Sequence, residues 1–460
     1  MRRAERAVVV GIVALTALGL RAWFVATSTV DNPLRADAGQ YAQYAHNLLA
    51  HGTFSLDTAA PPRPDSFRSP GYPAFVAGLR ALAGDGWLTA VRQAQAVLGA
   101  LLVPMTFWLA RRRLPFAAAL AASALVAVSP HLVAASGYLL TEALFATVLL
   151  LACCLLARAV DRPTAGAAGA AGLALGTAAL VNEALSPLAL LLPLLLRRPL
   201  GGRGALVLFA AAALPLGAWS VRNHSQDLAR TGGERVLASL SHGSYPGMLF
   251  ASERYRYFPY AEDPEQPEFG ASWPRFREVF AARVAERPAR HLWWYCAEKP
   301  AWLWGWDIVQ GAGPVYVYPV RHSILDEQPV VRTLAGVARW LHWPMVAACL
   351  FGIVLALRRG AASAADQRAR SAWLRPMVVL LLWFTAVYTM FVPDPRYLVP
   401  LRPLQAVVAA AAVTALWQRW SRRKGEGRSE SKGEGDRDGE GDGDARGTPG
   451  APVLPQLVEA

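Results

Sequence analysis

Apolar runs long enough to cross a lipid bilayer recur along this chain, and they constrain its fold more than any other feature. A hydrocarbon core about 30 Å thick takes roughly 17–25 apolar residues of helix, because each residue advances about 1.5 Å. Eight runs meet that length: Ala7–Ala26, Ala90–Ala110, Ala117–Ala135, Leu139–Ala157, Gly204–Val221, Leu334–Leu357, Pro376–Val392 and Tyr397–Trp417. Within lipid every backbone N–H and C=O must be bonded inside the chain, so runs of this kind form helices. The expected class is an all-α integral membrane protein. Composition agrees, since 54% apolar and 17% charged is too apolar for a soluble chain of 460 residues.

Thr164–Leu196 is a special case. One helix over its 33 residues would reach about 50 Å and overshoot the bilayer, so the spacing predicts two short helices turning at Val181-Asn182-Glu183-Ala184. Counting both gives ten spans. Basic clusters at Arg2, Arg3 and Arg6, at Arg111–Arg113, at Arg197–Arg203, at Arg358–Arg375 and at Arg419–Lys424 then fall on one side, as the positive-inside rule expects. That pattern accounts for the net charge of +13 without nucleic acid, and it places both termini in the cytoplasm. The first span runs into Arg21-Ala22-Trp23-Phe24 with no small-x-small cleavage site, so it reads as a retained anchor.

The membrane domain is expected over 1–420, with polar outer segments at 27–89 and 222–332 and a disordered cytoplasmic tail at 421–460. The Gly, Glu, Asp, Lys and Arg of 425–450 bury too little apolar surface to fold. In the first outer segment, Gly39–Leu49 has a helical apolar period (Tyr41, Tyr44, Ala45, Leu48), and Ala74–Leu82 follows the Pro70-Gly71-Tyr72-Pro73 turn. Both are expected as juxtamembrane helices. The second segment holds a helix near Phe276–Glu286 and an indole-rich run, Leu292–Trp306, that suits the headgroup zone or, alternatively, sugar stacking. Cys153, Cys154, Cys296 and Cys349 have neither zinc nor redox spacing, and their expected role is packing.

Chemistry is sought where ionisable groups meet the outer membrane surface. Asp37 follows the first span, where its carboxylate either caps the next helix or serves as a base at headgroup height. Glu142 opens the fourth span, and an ionisable group at that depth needs a partner or a polar cavity. Glu183 sits in the short hairpin turn with the same ambiguity. Arg68, Arg222, Lys299 and Arg396 lie near span ends, placed either for a departing phosphate or for ordinary lipid headgroups. Arg396 belongs to a tight turn, Pro393-Asp394-Pro395-Arg396-Tyr397, that holds it at the surface.

Taken in order, these pieces resemble a family. Asp37-Ala38-Gly39-Gln40-Tyr41, Arg68-Ser69-Pro70-Gly71-Tyr72-Pro73, Leu140-Thr141-Glu142-Ala143-Leu144-Phe145, Trp219-Ser220-Val221-Arg222-Asn223 and Arg396-Tyr397-Leu398-Val399-Pro400 resemble the GT-C class of membrane glycosyltransferases. The similar branch includes the protein O-mannosyltransferases and the lipid A aminoarabinose transferase. The resemblance implies a polytopic GT-C bundle in a bacterial plasma membrane, with its site facing outward. It also implies a polyprenyl-phosphate sugar donor of undecaprenyl or dolichyl type, an inverting transfer and a lipid, glycan or protein acceptor. Asp37 and Glu142 would be the catalytic pair, while Arg68, Tyr72, Arg222, Lys299, Arg396 and Tyr397 would line the donor site. Two departures stand out. Ala38 follows Asp37 where relatives often have a second acid, which puts a paired-carboxylate or metal-assisted scheme in doubt; no cofactor is certain, and a divalent metal stays open without being indicated. Val181-Asn182-Glu183 replaces a Thr-Arg-Pro turn, so a cation expected there is missing. The alternatives to a transferase are a lipid-linked sugar flippase and a polysaccharide export or polymerase component. A transporter would favour paired broken helices, and the sequence offers one break, near Asn182.

Overall fold

The computed structural model describes residues 3–248, 258–308, 315–358 and 373–435. Among the described residues helix predominates, joined by loops such as 52–70 and by one two-residue strand pair. In chain order the helices that frame the site are α1 (Arg3–Thr27), α2 (Asp37–His51), α3 (Gly71–Ala83), α4 (Trp87–Arg111), α5 (Phe116–Ala127), α6 (Pro130–Ala134), α7 (Glu142–Asp161), α8 (Ala165–Val181), α9 (Ser186–Leu195), α10 (Arg197–His224), α11 (Gly232–Gly243), α12 (Trp273–Glu286), α13 (Pro329–Leu357), α14 (Arg375–Met390) and α15 (Arg402–Gly435). The described residues up to Ala412 form one compact unit, and those from Val413 on form another.

Among the described residues six helical stretches are long and apolar enough to cross a membrane: Ala4–Thr27, Gly71–Arg111, Glu142–Asp161, Arg197–His224, Pro329–Leu357 and Pro395–Ser421. A seventh is bent by 48° between Phe116–Ala127 and Pro130–Gly137. Three shorter apolar helices, Ala165–Val181, Glu183–Leu195 and Arg375–Met390, occupy the remaining expected spans. The count of ten therefore resolves into full-length, bent and short helices, which length rules do not treat alike. The protein is a multi-pass membrane protein.

The bend has a local cause. Ser129-Pro130 interrupts the run, and the carbonyls at the end of α5 need donors that the helix no longer supplies. Fully buried Arg21 of α1 provides them, donating to the Val126 and Ala127 carbonyls at 3.1 and 2.9 Å and to Ala17 at 3.0 Å. A guanidinium inside a span is thus spent on backbone. Elsewhere the bundle packs through small residues: Ala168, Ala171, Gly172 and Gly176 of α8 are buried, and α10 lies close along that face.

The hairpin turns where the sequence placed it. Asn182 ends α8, accepts a hydrogen bond from the Ala184 N–H at 3.1 Å and so caps the turn into α9. Both surface helices also form, each a few residues longer than expected. The first outer segment is pinned at its start by an antiparallel pair, β1 (Thr29–Val30) with β2 (Val320–Arg321), reinforced by Arg321 on Asp31 at 2.8 Å. A small separate core of Leu237, Phe269, Phe276 and Val279 joins α11 to α12.

Two expectations change. Helix α15 runs to Gly435 and so continues through the first part of the segment expected to be disordered; the rest of that tail lies outside the described residues. The indole run is not a simple surface belt, because Trp294 is fully buried and Trp304 and Trp306 are 8% exposed, whereas Trp293 is 60% exposed. The run turns through a wide helical segment, Trp294–Glu298, that divides its rings between core and surface.

Candidate active site

Asp37 is the first residue of α2, and its carboxylate does not cap that helix: Ala36 holds the cap position without a side-chain bond. Ala36 adopts φ 51°, a conformation costly for a residue with a Cβ, and Gly39 is required because a Cβ there would come within 2.4 Å of the Leu34 carbonyl oxygen. This cramped start frees the Asp37 side chain for two guanidiniums. Arg68 Nη2 donates to Oδ1 at 2.5 Å, and Arg396 Nη2 donates to Oδ2 at 2.9 Å. Burial alone would raise the Asp37 carboxyl, but Arg68 and Arg396 outweigh it and hold it well below the usual carboxylate range. Gln40, one turn along the same helix face, accepts a second bond from Arg68 Nε at 2.7 Å, and the guanidinium lies 5.3 Å from the Tyr41 ring centre.

Each arginine has its own support. The Arg68 loop leads into α3 at Gly71, where a Cβ would lie 2.8 Å from the Leu180 carbonyl oxygen and from Val181, so only glycine lets α3 meet the hairpin turn. There Glu183 accepts from Ser69 and from Arg235 of α11. A cation thus reaches the turn from a distant segment, where the sequence departs from the expected Thr-Arg-Pro. Arg396 stands on a short 3₁₀ segment, Pro395–Leu401, whose start is capped by Asp394 Oδ1 accepting from the Arg396 N–H at 3.0 Å. Asp394 Oδ2 lies 3.8 Å from Arg396 Nε. Tyr397 stacks on Tyr388 with ring centres 4.6 Å apart, and the Tyr388 hydroxyl meets Asn182 at 2.9 Å.

Glu142, 8% exposed, is the first residue of α7 and lines a narrow cavity with Arg396, His131 and Tyr138. Glu142 Oε2 and Arg396 Nε are buried without a hydrogen-bond partner among the described residues. Orphaned buried polar atoms cost on the order of 1–3 kcal/mol each, and two of them, one acidic and one basic, face this one cavity. Asp37 and Glu142 therefore meet at Arg396, which touches the first and shares a cavity with the second.

The other sequence candidates lie apart. Arg222 donates to the Asp65 and Phe54 carbonyls at 2.7 and 3.3 Å and stacks over Trp219, holding the 54–65 loop. Lys299 is fully buried and donates to the Phe391 and Met390 carbonyls at 2.8 and 3.3 Å, and burial pushes its amine down to about 6. Tyr72 commits its hydroxyl to Gln95 at 2.8 Å, which in turn bonds the Tyr138 carbonyl at 2.7 Å. None of the three is bonded to the Asp37 carboxylate, although Tyr72 packs edge-on against Tyr41 with ring centres 4.9 Å apart. Gln40 and Arg235 were missed as site residues; Gln40 is three residues after Asp37 and so readable from helical period, whereas nothing local marks Arg235. Among the described residues no three His, Cys, Asp or Glu side chains gather as metal ligands would.

With this geometry in hand, comparison with known proteins is informative. Residues 67–221 are similar in sequence to a known family of membrane glycosyltransferases. That match is to the family described as dolichyl-phosphate-mannose-protein mannosyltransferase; it covers about a third of the chain, includes Arg68 and Glu142, and stops short of Asp37 and Arg396. No curated protein sequence matches the chain. Solved structures that align with most of it include the archaeal oligosaccharyltransferase AglB from Archaeoglobus fulgidus in complex with an inhibitory peptide and a dolichol-phosphate, at 12% identity and TM-score 0.48, over 92% of this chain and 52% of that one. ArnT from Cupriavidus metallidurans bound to undecaprenyl phosphate aligns at 19% identity and TM-score 0.37, over 90% of this chain and 78% of that one. The chain spans about half the length of the oligosaccharyltransferase.

Proposed function

We propose that this protein transfers a sugar from a polyprenyl-phosphate donor to a hydroxyl acceptor on the non-cytoplasmic side of the membrane. The observation that carries the reading is the Asp37 carboxylate held between Arg68 and Arg396, with Glu142 on the cavity behind Arg396. Two guanidiniums on one carboxylate are a site where a phosphate can exchange for that carboxylate, since both oxyanions accept the same paired N–H donors. A donor phosphate bound by Arg68 and Arg396 draws them from Asp37. The carboxylate, relieved of the cations that depress it, becomes a stronger base.

In the transfer the acceptor oxygen attacks the anomeric carbon, the bond from that carbon to the phosphate oxygen breaks, and the bonding pair leaves with the carrier phosphate. The acceptor proton passes to Asp37, and attack opposite the leaving group inverts the anomeric centre. Arg68 and Arg396 stabilise the charge that grows on the phosphate. Glu142 lines a narrow cavity with Arg396 without bonding to it, and so stands behind the guanidinium that holds the phosphate. The likeness of residues 67–221 to a dolichyl-phosphate-mannose transferase family supports this donor class.

The test uses purified protein in lipid nanodiscs with a membrane extract as acceptor source and a panel of radiolabelled undecaprenyl-phosphate sugars. Release of free carrier phosphate, coupled one-to-one with label in an acceptor, is the expected result. A protein that binds these donors yet moves them across the bilayer without cleaving the sugar–phosphate bond would show the reading to be wrong.

A further inference from the structure

Beside the charged cluster lies a second cavity, of about 750 Å³, walled by five indoles: Trp293, Trp302, Trp306, Trp340 and Trp343. Its depth follows from α13. Counting about 20 residues back from Leu357 at 1.5 Å each brings the outer edge of the hydrocarbon close to residue 338, so Arg339 and Trp340 sit where headgroups meet lipid and Trp343 lies about 7 Å inside that edge. Trp340 and Trp343 are 86% and 55% exposed, so flat apolar rings stand open at the mouth. The volume is that of a small-molecule site rather than a packing defect.

The polar groups narrow the occupant. Glu298 and Asp307 line the cavity, and each is paired, Glu298 with Arg290 at 2.7 Å and Asp307 with Arg339 at 3.4 Å. Among the described lining residues the pairs cancel in charge, which leaves no surplus cation there for a phosphate. An isoprenoid chain would set hydrocarbon against two carboxylates and a guanidinium and offer them no hydrogen bond. A pyranoside satisfies both kinds of wall, with its C–H face on an indole and its hydroxyls donating to carboxylates. The cavity also adjoins the site: Trp306 packs edge-on against His131 at 4.4 Å between ring centres, and His131 lines the narrow cavity of Glu142 and Arg396. The buried Trp306 indole N–H has no partner among the described residues.

We propose that this cavity binds the saccharide portion of the acceptor, which makes the acceptor a glycan or glycolipid rather than a protein hydroxyl. The inference rests on the transferase reading above and deepens it. Its test is a binding measurement that needs no turnover: nanodisc-embedded protein titrated with mannotriose, cellotriose and chitotriose, followed by saturation-transfer NMR and calorimetry. At least one trisaccharide should bind wild type, and Trp340→Ala and Trp343→Ala should each weaken it roughly tenfold, the loss expected of an anchoring aromatic. Undecaprenyl phosphate should be retained equally by all three proteins, and their melting temperatures should agree because both rings are exposed. Failure of every trisaccharide to bind, unchanged binding in the variants, or weakened undecaprenyl phosphate retention instead, would each overturn the proposal. A protein that binds saccharide but never cleaves a donor would sink the transferase reading and leave this site standing.

Discussion

At the scale of single residues the site is organised by competition for arginine. Asp37 is the carboxylate that both buried guanidiniums share, so removing its charge leaves Arg68 with Gln40 and Arg396 with the longer 3.8 Å contact to Asp394, and breaking a buried pair costs about 3–5 kcal/mol. Asp37→Asn should therefore lower the melting temperature as well as abolish transfer, and a second variant separates the effects. Asp37→Glu keeps the charge but displaces it by one methylene; we expect near-native melting with transfer reduced by roughly 10²-fold or more, measured by carrier-phosphate release. The pH dependence has a definite sign. Because Arg68 and Arg396 depress the native Asp37 carboxyl, its contribution to stability is present above the unfolded value and lost only as pH falls through the lower native one. Lys299 behaves oppositely to a paired lysine. Its native amine titrates near 6 because of burial, so between that pH and about 10 the unfolded chain binds more protons, and stability rises with pH. Lys299→Met should flatten that rise in melting temperature between pH 6 and 9 and leave donor KM unchanged. A raised donor KM would restore Lys299 to the phosphate-binding role that its sequence position suggested.

At the scale of elements, the hairpin of α8 and α9 is more than a pair of short spans. Its turn carries Glu183, which ties Ser69 and Arg235 together, and Asn182, which reaches Tyr388 behind Tyr397. The turn therefore braces both arginine supports at once. Glu183 is 46% exposed, and exposed ion pairs contribute only about 0.2–1 kcal/mol, so Glu183→Gln should scarcely change melting. Its expected effect is on the Arg68 loop: donor KM rises several-fold while kcat stays within about twofold, as for loss of binding common to ground and transition states. Equal loss in kcat would instead place Glu183 among the groups that act on the reacting sugar. Helices α5 and α6 illustrate a second elemental point, since their bend depends on a guanidinium from α1 that neither helix contains.

At the scale of the whole molecule the reading requires the segment around 222–332 to face outward. The chain carries a natural reporter, because Cys296 is exposed whereas Cys153, Cys154 and Cys349 are buried. A membrane-impermeant maleimide added to intact cells or spheroplasts should label the protein at Cys296, and Cys296→Ser should remove the label. Labelling that appears only after permeabilisation would invert the topology, and with it the placement of the site.

Local composition and period were enough for the membrane class, the positions of the long helices, the break at Asn182 and the short helix over Gly39–Leu49, which the structure extends to Asp37–His51. Hydropathy and helical period are properties of neighbouring residues, and lipid leaves the backbone few other solutions. The sequence also marked Asp37, Arg68 and Arg396 as candidates, since each lies beside a span end. Only the tertiary structure decided how these candidates divide. Arg222 and Lys299 carry the same charge at similar positions as Arg68 and Arg396, yet their donors are spent on backbone carbonyls of 54, 65, 390 and 391. Arg68 and Arg396 instead meet one carboxylate across 31 and 359 residues of chain. Which carbonyl or carboxylate a long side chain finds is set by how distant helices pack, and that information resides in no single stretch of sequence.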